Sequence, residues 1–214
     1  MVSTIRSARR FERLNKMMRD NLRFLTLVAT CLLTSYLPQA RAQSLHRLWA
    51  LHNSTYDVLY DNIDHVPVSV TWKLRPKDFQ TKRSRVAKYF RADNRVSKPR
   101  VKHADFDGSG YMRGHLCPAG DRTESKALMK STFLMTNVAP MTEKLNCGLW
   151  TDLEIKTRQL AIKYDSVRVI VACLYLTGDS IYIGGGRVRV PSHFLREVRA
   201  LKNDSILLWQ IVSQ

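Results

Sequence analysis

The 214-residue chain carries 35 Lys and Arg against 18 Asp and Glu, a formal net charge of +17, and 44% of its residues are hydrophobic. That apolar fraction excludes a disordered polycation and is ample for the core of one domain with at most a small appendage. The excess charge therefore lies on a folded body and points to polyanionic partners: nucleic acid, anionic membrane or acidic glycan.

Arg23 precedes an apolar run from Phe24 to Leu37, followed by Pro38, Gln39 and the small-x-small triplet Ala40-Arg41-Ala42. The run is shorter than the ~20 residues a spanning helix needs. Together these features predict a secretory signal peptide over 1–42, cleaved after Ala42, and a chain that is exported, to a periplasm or to the medium. A start at Met17 or Met18 would give a leader of more ordinary length. Residues 1–42 hold 8 Lys and Arg and 2 Asp and Glu, so residues 43–214 keep 27 against 16, a net charge of about +11. No stable membrane span is expected after cleavage. In an oxidising compartment cysteines can pair. Cys117, Cys147 and Cys173 remain, an odd number, so at least one is free or pairs with another chain.

No repeat or linker divides residues 43–214, which read as one domain. Val66 to Leu74 is β-branched and aromatic and predicts a strand. Residues 75–100 are crowded with cations, among them Lys82, Arg83, Arg85, Lys88, Arg91, Arg95, Lys98 and Arg100. As a group these suit a phosphate-tracking surface. Gly108-Ser109-Gly110 marks a turn before a strand at Tyr111 to Leu116, which Pro118 limits. A short helix is expected within 124–135. A longer one is expected from about Asn146 to Tyr164, with Leu149, Leu153, Leu160 and Tyr164 on one side. Strands and turns follow at Val167 to Leu176, Gly184 to Gly186, Val188 to Val190 and Ile206 to Val212. Cys173 sits in the first of these runs and reads as a small core residue. The class is α+β, a mostly antiparallel sheet core with packed helices.

Of six histidines, His46, His52, His65 and His193 read as surface or packing residues. His115 differs, because Arg113 lies two residues before it and shares its face on a strand. A cation beside a titratable imidazole is what phosphodiester cleavage requires. Three segments then occur in order: Arg113-Gly114-His115-Leu116-Cys117-Pro118-Ala119-Gly120-Asp121-Arg122, Thr132-Phe133-Leu134-Met135-Thr136-Asn137-Val138-Ala139-Pro140, and Asn146-Cys147-Gly148-Leu149-Trp150-Thr151-Asp152-Leu153-Glu154. Together they resemble the DNA/RNA non-specific endonuclease family, the sugar-non-specific nucleases with a ββα-metal active site that include the endonuclease G group. The resemblance spans roughly residues 56 to 200.

The resemblance implies a nuclease cutting DNA and RNA without sequence specificity and leaving 5′-phosphate ends. His115 matches the general base, and Asn146 the direct ligand of one divalent ion, normally Mg2+, with Mn2+ or another divalent ion as alternatives. Glu154 matches the carboxylate that holds the ion's water shell. Arg113 matches the arginine near the scissile phosphate, and Arg85, spaced before Phe90 and Asp93, the transition-state arginine. Arg122 and Asn137 join Arg113 as substrate-binding candidates. Mg2+ suits such a site, because it keeps several waters and takes few protein ligands. On one continuous helix Asn146 and Glu154 would be separated by about 80° and roughly 12 Å. If His115 and Asn146 converge on one ion, Cys117 and Cys147 also approach, and a disulfide between them is expected, with Cα atoms about 4.4–6.8 Å apart.

The chain departs from the family pattern at two places. Met112 stands where an Asp is usual and cannot replace its oxygen ligands. Met141 stands where a Gln is usual. Asp105 and Asp107 are near enough in sequence to offer a substitute carboxylate. The departures support an alternative, a catalytically impaired nuclease fold that binds nucleic acid through its basic surface. A zinc protein is disfavoured, because no Cys-x-x-Cys or His-x-x-x-His spacing is present. DNA and RNA are the expected partners, and a protein inhibitor or a homodimer is left open.

Overall fold

The β-branched and aromatic run at Val66–Leu74 is the strand its composition predicts, and the rest of the molecule is laid against it. The computed structural model of the chain describes residues 47–81, 90–176 and 180–214. The expected signal peptide at 1–42, and Arg85 with Lys82, Arg83 and Lys88, lie outside the described residues. The chain runs through β1 (Leu48–His52), β2 (Asp57–Asp61), β3 (Val66–Leu74), α1 (Pro76–Phe79), β4 (Met112–His115), α2 (Lys126–Ser131) and β5 (Val138–Met141). It continues through α3 (Glu143–Cys147), α4 (Leu149–Lys163), β6 (Val167–Leu174), β7 (Tyr182–Ile183), β8 (Val188–Arg189), β9 (His193–Ala200) and β10 (Ile206–Ser213).

Six strands form one antiparallel sheet in the order β1-β2-β3-β6-β9-β10, and β4 with β5 and β7 with β8 form two separate pairs. The class is α+β, as expected. Period-two alternation turns Val167, Val169, Val171 and Cys173 of β6 inward, with Phe194 and Val198 of β9 beside them. Helix α4 covers this face, its Trp150 ring 5.4 Å from that of Phe194. Cys173 is a core residue, as its surroundings in sequence suggest.

The long helix differs from its expected form in two ways. Its buried face is Trp150, Leu153, Thr157 and Ala161, whereas Leu149 and Tyr164 are exposed. Leucine spacing pointed to a different stripe, because the indole of Trp150 is larger than any leucine and claims the core. The helix is also broken at Gly148, so Asn146 lies on α3 and Glu154 on α4. The single-helix separation of those two residues therefore does not apply. Thr142 caps α3, its hydroxyl accepting from Leu145 N at 3.3 Å. At the break, Thr151 Oγ1 donates to Asn146 O at 2.9 Å and holds the two helices in register.

A Cβ built on Gly148 would lie 2.6 Å from Lys144 O. Gly148→Ala should therefore push α3 away from α4, with a stability loss of about 1–3 kcal/mol. Urea unfolding of the variant beside the parent protein measures it, and an unchanged midpoint would refute the close-approach argument.

Candidate active site

Strands β4 and β5 pair antiparallel with Met112 opposite Met141, Arg113 opposite Pro140, Gly114 opposite Ala139 and His115 opposite Val138. Helices α3 and α4 follow directly, which makes a β-β-α unit. Gly114 is needed at its place, since a Cβ there would lie 2.4 Å from Met141 Sδ. Met141 itself is fully buried and serves packing. The unit is fixed to the main core by Trp150, whose Nε1 donates to His115 O at 3.0 Å.

This unit walls a cleft of about 590 Å³, whose lining includes Arg113, His115, Asn146, Glu154 and Met112. The sequence brings the same four polar residues together. His115 is 8% exposed and stands between aromatic rings, with Phe90 and Phe133 each 4.8 Å away by centroid. Arg113 is held in place: its Nε and Nη2 donate to His103 O at 3.1 and 2.7 Å, and Nη2 also pairs with Asp107. Glu154 lies 3.9 Å from Arg158, which binds Asp121 at 2.9 Å. Asn146 Nδ2 is turned to Met112 Sδ at 3.7 Å.

Other expectations require correction. Asn137 is fully buried, accepting from Cys117 N at 2.9 Å and donating to Cys117 O and Thr132 O at 2.9 Å each. It ties two loops together beneath the cleft and has no surface from which to bind substrate. Arg122 is 1% exposed and donates to the carbonyls of Asp121, Thr55 and Lys73 at 2.7–3.0 Å, so its guanidinium is committed to the interior. Cys117 and Cys147 are both free thiols. Cys117 belongs to the hydrophobic core, where burial pushes its pKa up to about 12, whereas Cys147 is exposed beside Met112, 3.7 Å from its sulfur. Asp105 pairs with Arg187 at 2.6 Å and Asp107 with Arg113, and neither lines the cleft in place of Met112.

Several cleft residues escape a reading by motif. Phe90, His103, Tyr111, Thr123 and Thr151 also line it. His103 had no neighbour in sequence to recruit it, and its contribution comes through a backbone carbonyl that no side-chain pattern reveals. Desolvation and then the nearby Arg113 hold its pKa below the usual histidine value.

A mixed α+β domain whose β-β-α unit gathers an Arg, a His, an Asn and a Glu at one cleft belongs to the ββα-metal class of nuclease folds. A family model, DNA/RNA non-specific endonuclease, matches residues 46–211, and the chain belongs to that family. It is similar to human mitochondrial endonuclease G, 34% identical over 152 residues that make up 66% of this chain and 51% of that protein. It is similar also to the mitochondrial nuclease EXOG of Danio rerio, 31% identical over 179 residues, 79% of this chain and 50% of that one. The chain thus spans about half the length of these curated relatives. Among solved structures, a chain of the EndoG/EndoGI complex superposes with a TM-score of 0.66 at 27% identity, covering 73% of this chain and 70% of its own.

The loop that delivers Phe90 is anchored by Asp93. Desolvation pushes that carboxyl up, but hydrogen bonds from the Arg95 side chain and backbone and from Thr136 outweigh it and hold the pKa below the ordinary value. Its contribution to stability is therefore complete above the unfolded value of about 3.9 and is lost as pH falls through the lower folded value. Asp93→Asn should flatten the acid limb of the stability profile. Urea midpoints between about pH 5 and pH 2 would show it, and parallel profiles for variant and parent would count against the anchor.

Proposed function

We propose that this chain is an exported, divalent-metal-dependent endonuclease that hydrolyses phosphodiester bonds of DNA and RNA without sequence specificity. The convergence of Arg113, His115, Asn146 and Glu154 on one cleft carries the reading. The family membership supports it. Export rests on the leader-like residues 1–42; among the described residues, no helix is long and apolar enough to cross a membrane.

The residues fit a hydrated divalent ion such as Mg2+. One amide and one carboxylate face the cleft, and among the described residues no group of three His, Cys, Asp or Glu forms a tighter cage. Asn146 would hold the ion directly and Glu154 through water, and the bound ion would supply charge neutralisation at the phosphate and the leaving oxygen. His115, in its neutral form, takes a proton from the attacking water. The new P–O bond forms as the P–O3′ bond breaks, and the departing O3′ takes a proton from water, leaving a 5′-phosphate and a 3′-hydroxyl. Arg113, already fixed by the His103 carbonyl and Asp107, offers its guanidinium to the phosphate without first losing rotamer freedom. Phosphate contacts of this kind carry no base information, which supports broad specificity.

Cleavage of plasmid DNA and of RNA, with and without Mg2+ and with EDTA, tests the proposal. His115→Ala should lower the rate about 10²- to 10⁴-fold. Metal-independent cleavage, or an unaffected variant, would sink it. Met112 favours a second reading, an impaired nuclease that binds nucleic acid, because its thioether occupies the cleft beside Asn146. Under the first reading Met112→Asp should lower the Mg2+ concentration needed for half-maximal cleavage. Salt-sensitive binding without cleavage in the parent protein, and cleavage only in that variant, would establish the second. The EndoG/EndoGI structure also motivates a test for a protein inhibitor of this chain.

A further inference from the structure

At the edge of the cleft two sulfur atoms that the hydrolytic reading does not use come together, one on Met112 in the cleft lining and one on the exposed Cys147 beside it. Cys147 Sγ lies 3.7 Å from Met112 Sδ, and Asn146 Nδ2 lies 3.7 Å from the same Sδ. Cys147 is exposed at the end of α3, whereas Cys117 and Cys173 are buried in the core. Met112 lines the cleft itself. We propose that Met112 and Cys147 form a binding site for a soft monovalent cation, Cu(I) or its analogue Ag(I), and that filling it closes the cleft to the hydrolytic ion.

The chemistry selects that class of ligand. A thioether is a poor donor for hard ions such as Mg2+, while a thiolate paired with a thioether favours Cu(I). Two sulfurs 3.7 Å apart would subtend roughly 110° at an ion about 2.3 Å from each, the zinc–thiolate distance applied to the similar-sized Cu(I), and a smaller angle at the larger Ag(I). The pair is therefore spaced for a bent two-sulfur arrangement with a further place open to water, and its sulfurs need little movement. Zinc fits poorly, since it takes four nitrogen, sulfur or oxygen ligands and no third His, Cys, Asp or Glu joins Cys147 among the described residues. On binding, the Cys147 S–H bond breaks, a sulfur–metal bond forms, and the proton passes to solvent.

The position makes the site inhibitory. Asn146 touches Met112 Sδ and immediately precedes Cys147 in the chain. A cation held by the two sulfurs would stand beside the amide that the proposed function assigns to the divalent ion, and like charges at that range repel. Only this inhibitory half rests on the nuclease reading, because binding of the soft ion does not.

The experiment uses the full reduced chain under anaerobic, chloride-free conditions, without Mg2+ or nucleic acid. Ag(I) is titrated by calorimetry, and Cu(I) by competition with a chromophoric chelator, for the parent protein, Cys147→Ser and Met112→Leu. Circular dichroism confirms that each variant is folded. Loss of an outer-shell partner alone costs a metal site about 10- to 100-fold, so loss of the direct ligand in Cys147→Ser should cost about 100-fold or more, and Met112→Leu at least about tenfold. Equal affinity in the parent protein and Cys147→Ser would overturn the site. Unchanged affinity in Met112→Leu would reduce it to a plain thiol and overturn the two-sulfur proposal. In a second arm, one equivalent of Ag(I) should abolish metal-dependent DNA cleavage by the parent protein and spare Cys147→Ser. Cleavage that persists with Ag(I) bound overturns the inhibitory half. A chain that never cleaves overturns the nuclease reading and the inhibitory half with it, while the titration still decides the binding site.

Discussion

A buried carboxylate dictates how the domain is assembled. Asp121 is fully buried, and desolvation pushes its pKa up against the pull of Arg158 and Arg122. An ion in that position is costly unless it is paired and hydrogen-bonded. Trp72 of β3 donates its indole N–H at 3.0 Å and Arg158 of α4 its guanidinium at 2.9 Å, so one side chain joins the central sheet to the long helix. Arg196 of β9 lies nearby, also fully buried, with its guanidinium 4.4 Å from the ring centroid of Trp150. Burial lowers its pKa, and the carboxylates of Glu154 and Asp121 oppose that effect. The orientation of α4 follows from this charge cluster, and with it the placement of Glu154.

The cleft is supported by the same contacts. Trp150 lies against the Arg196 guanidinium on one side and holds His115 O through its indole nitrogen. The candidate base is thus positioned through its backbone by a core residue, and its ring by Phe90 and Phe133. Gly148 then lets the chain turn between α3 and α4, so that Asn146 and Glu154 reach one cleft from two helix segments. Rigid support of this kind is what a site needs if little reorganisation is to accompany reaction.

Much of this was legible in the sequence, and the exceptions have physical causes. Val66–Leu74 and the start of β6 are apparent because β-branched residues dominate them. Strand β9, with charges interleaved among its apolar residues, gave no comparable run, and one of its inward residues is Arg196. Pro140 disguised β5. Arg113, His115, Asn146 and Glu154 were recognisable because their motifs are local. Arg122 and Asn137 carry the same chemical groups as surface binding residues, and only tertiary burial shows that those groups are spent internally. The expected cysteine bridge failed for a related reason: neighbouring His115 and Asn146 converge, but Cys117 faces the core and Cys147 faces solvent.

The strand order has a further consequence for how the protein comes into being. Strand β3 pairs directly with β6, yet the chain between Leu74 and Val167 contains every candidate cleft residue within the described part. The cleft is therefore an insertion closed by a non-local strand pairing. Loop-closure entropy rises only slowly with length, so the sheet can accommodate a large insertion thermodynamically. Kinetically the pairing is demanding, because non-local contacts must form before they are rewarded. During synthesis the cleft residues emerge before β6, β9 and β10, and they wait for the strands that will support them. Assembly of the working surface is thereby tied to completion of the sheet.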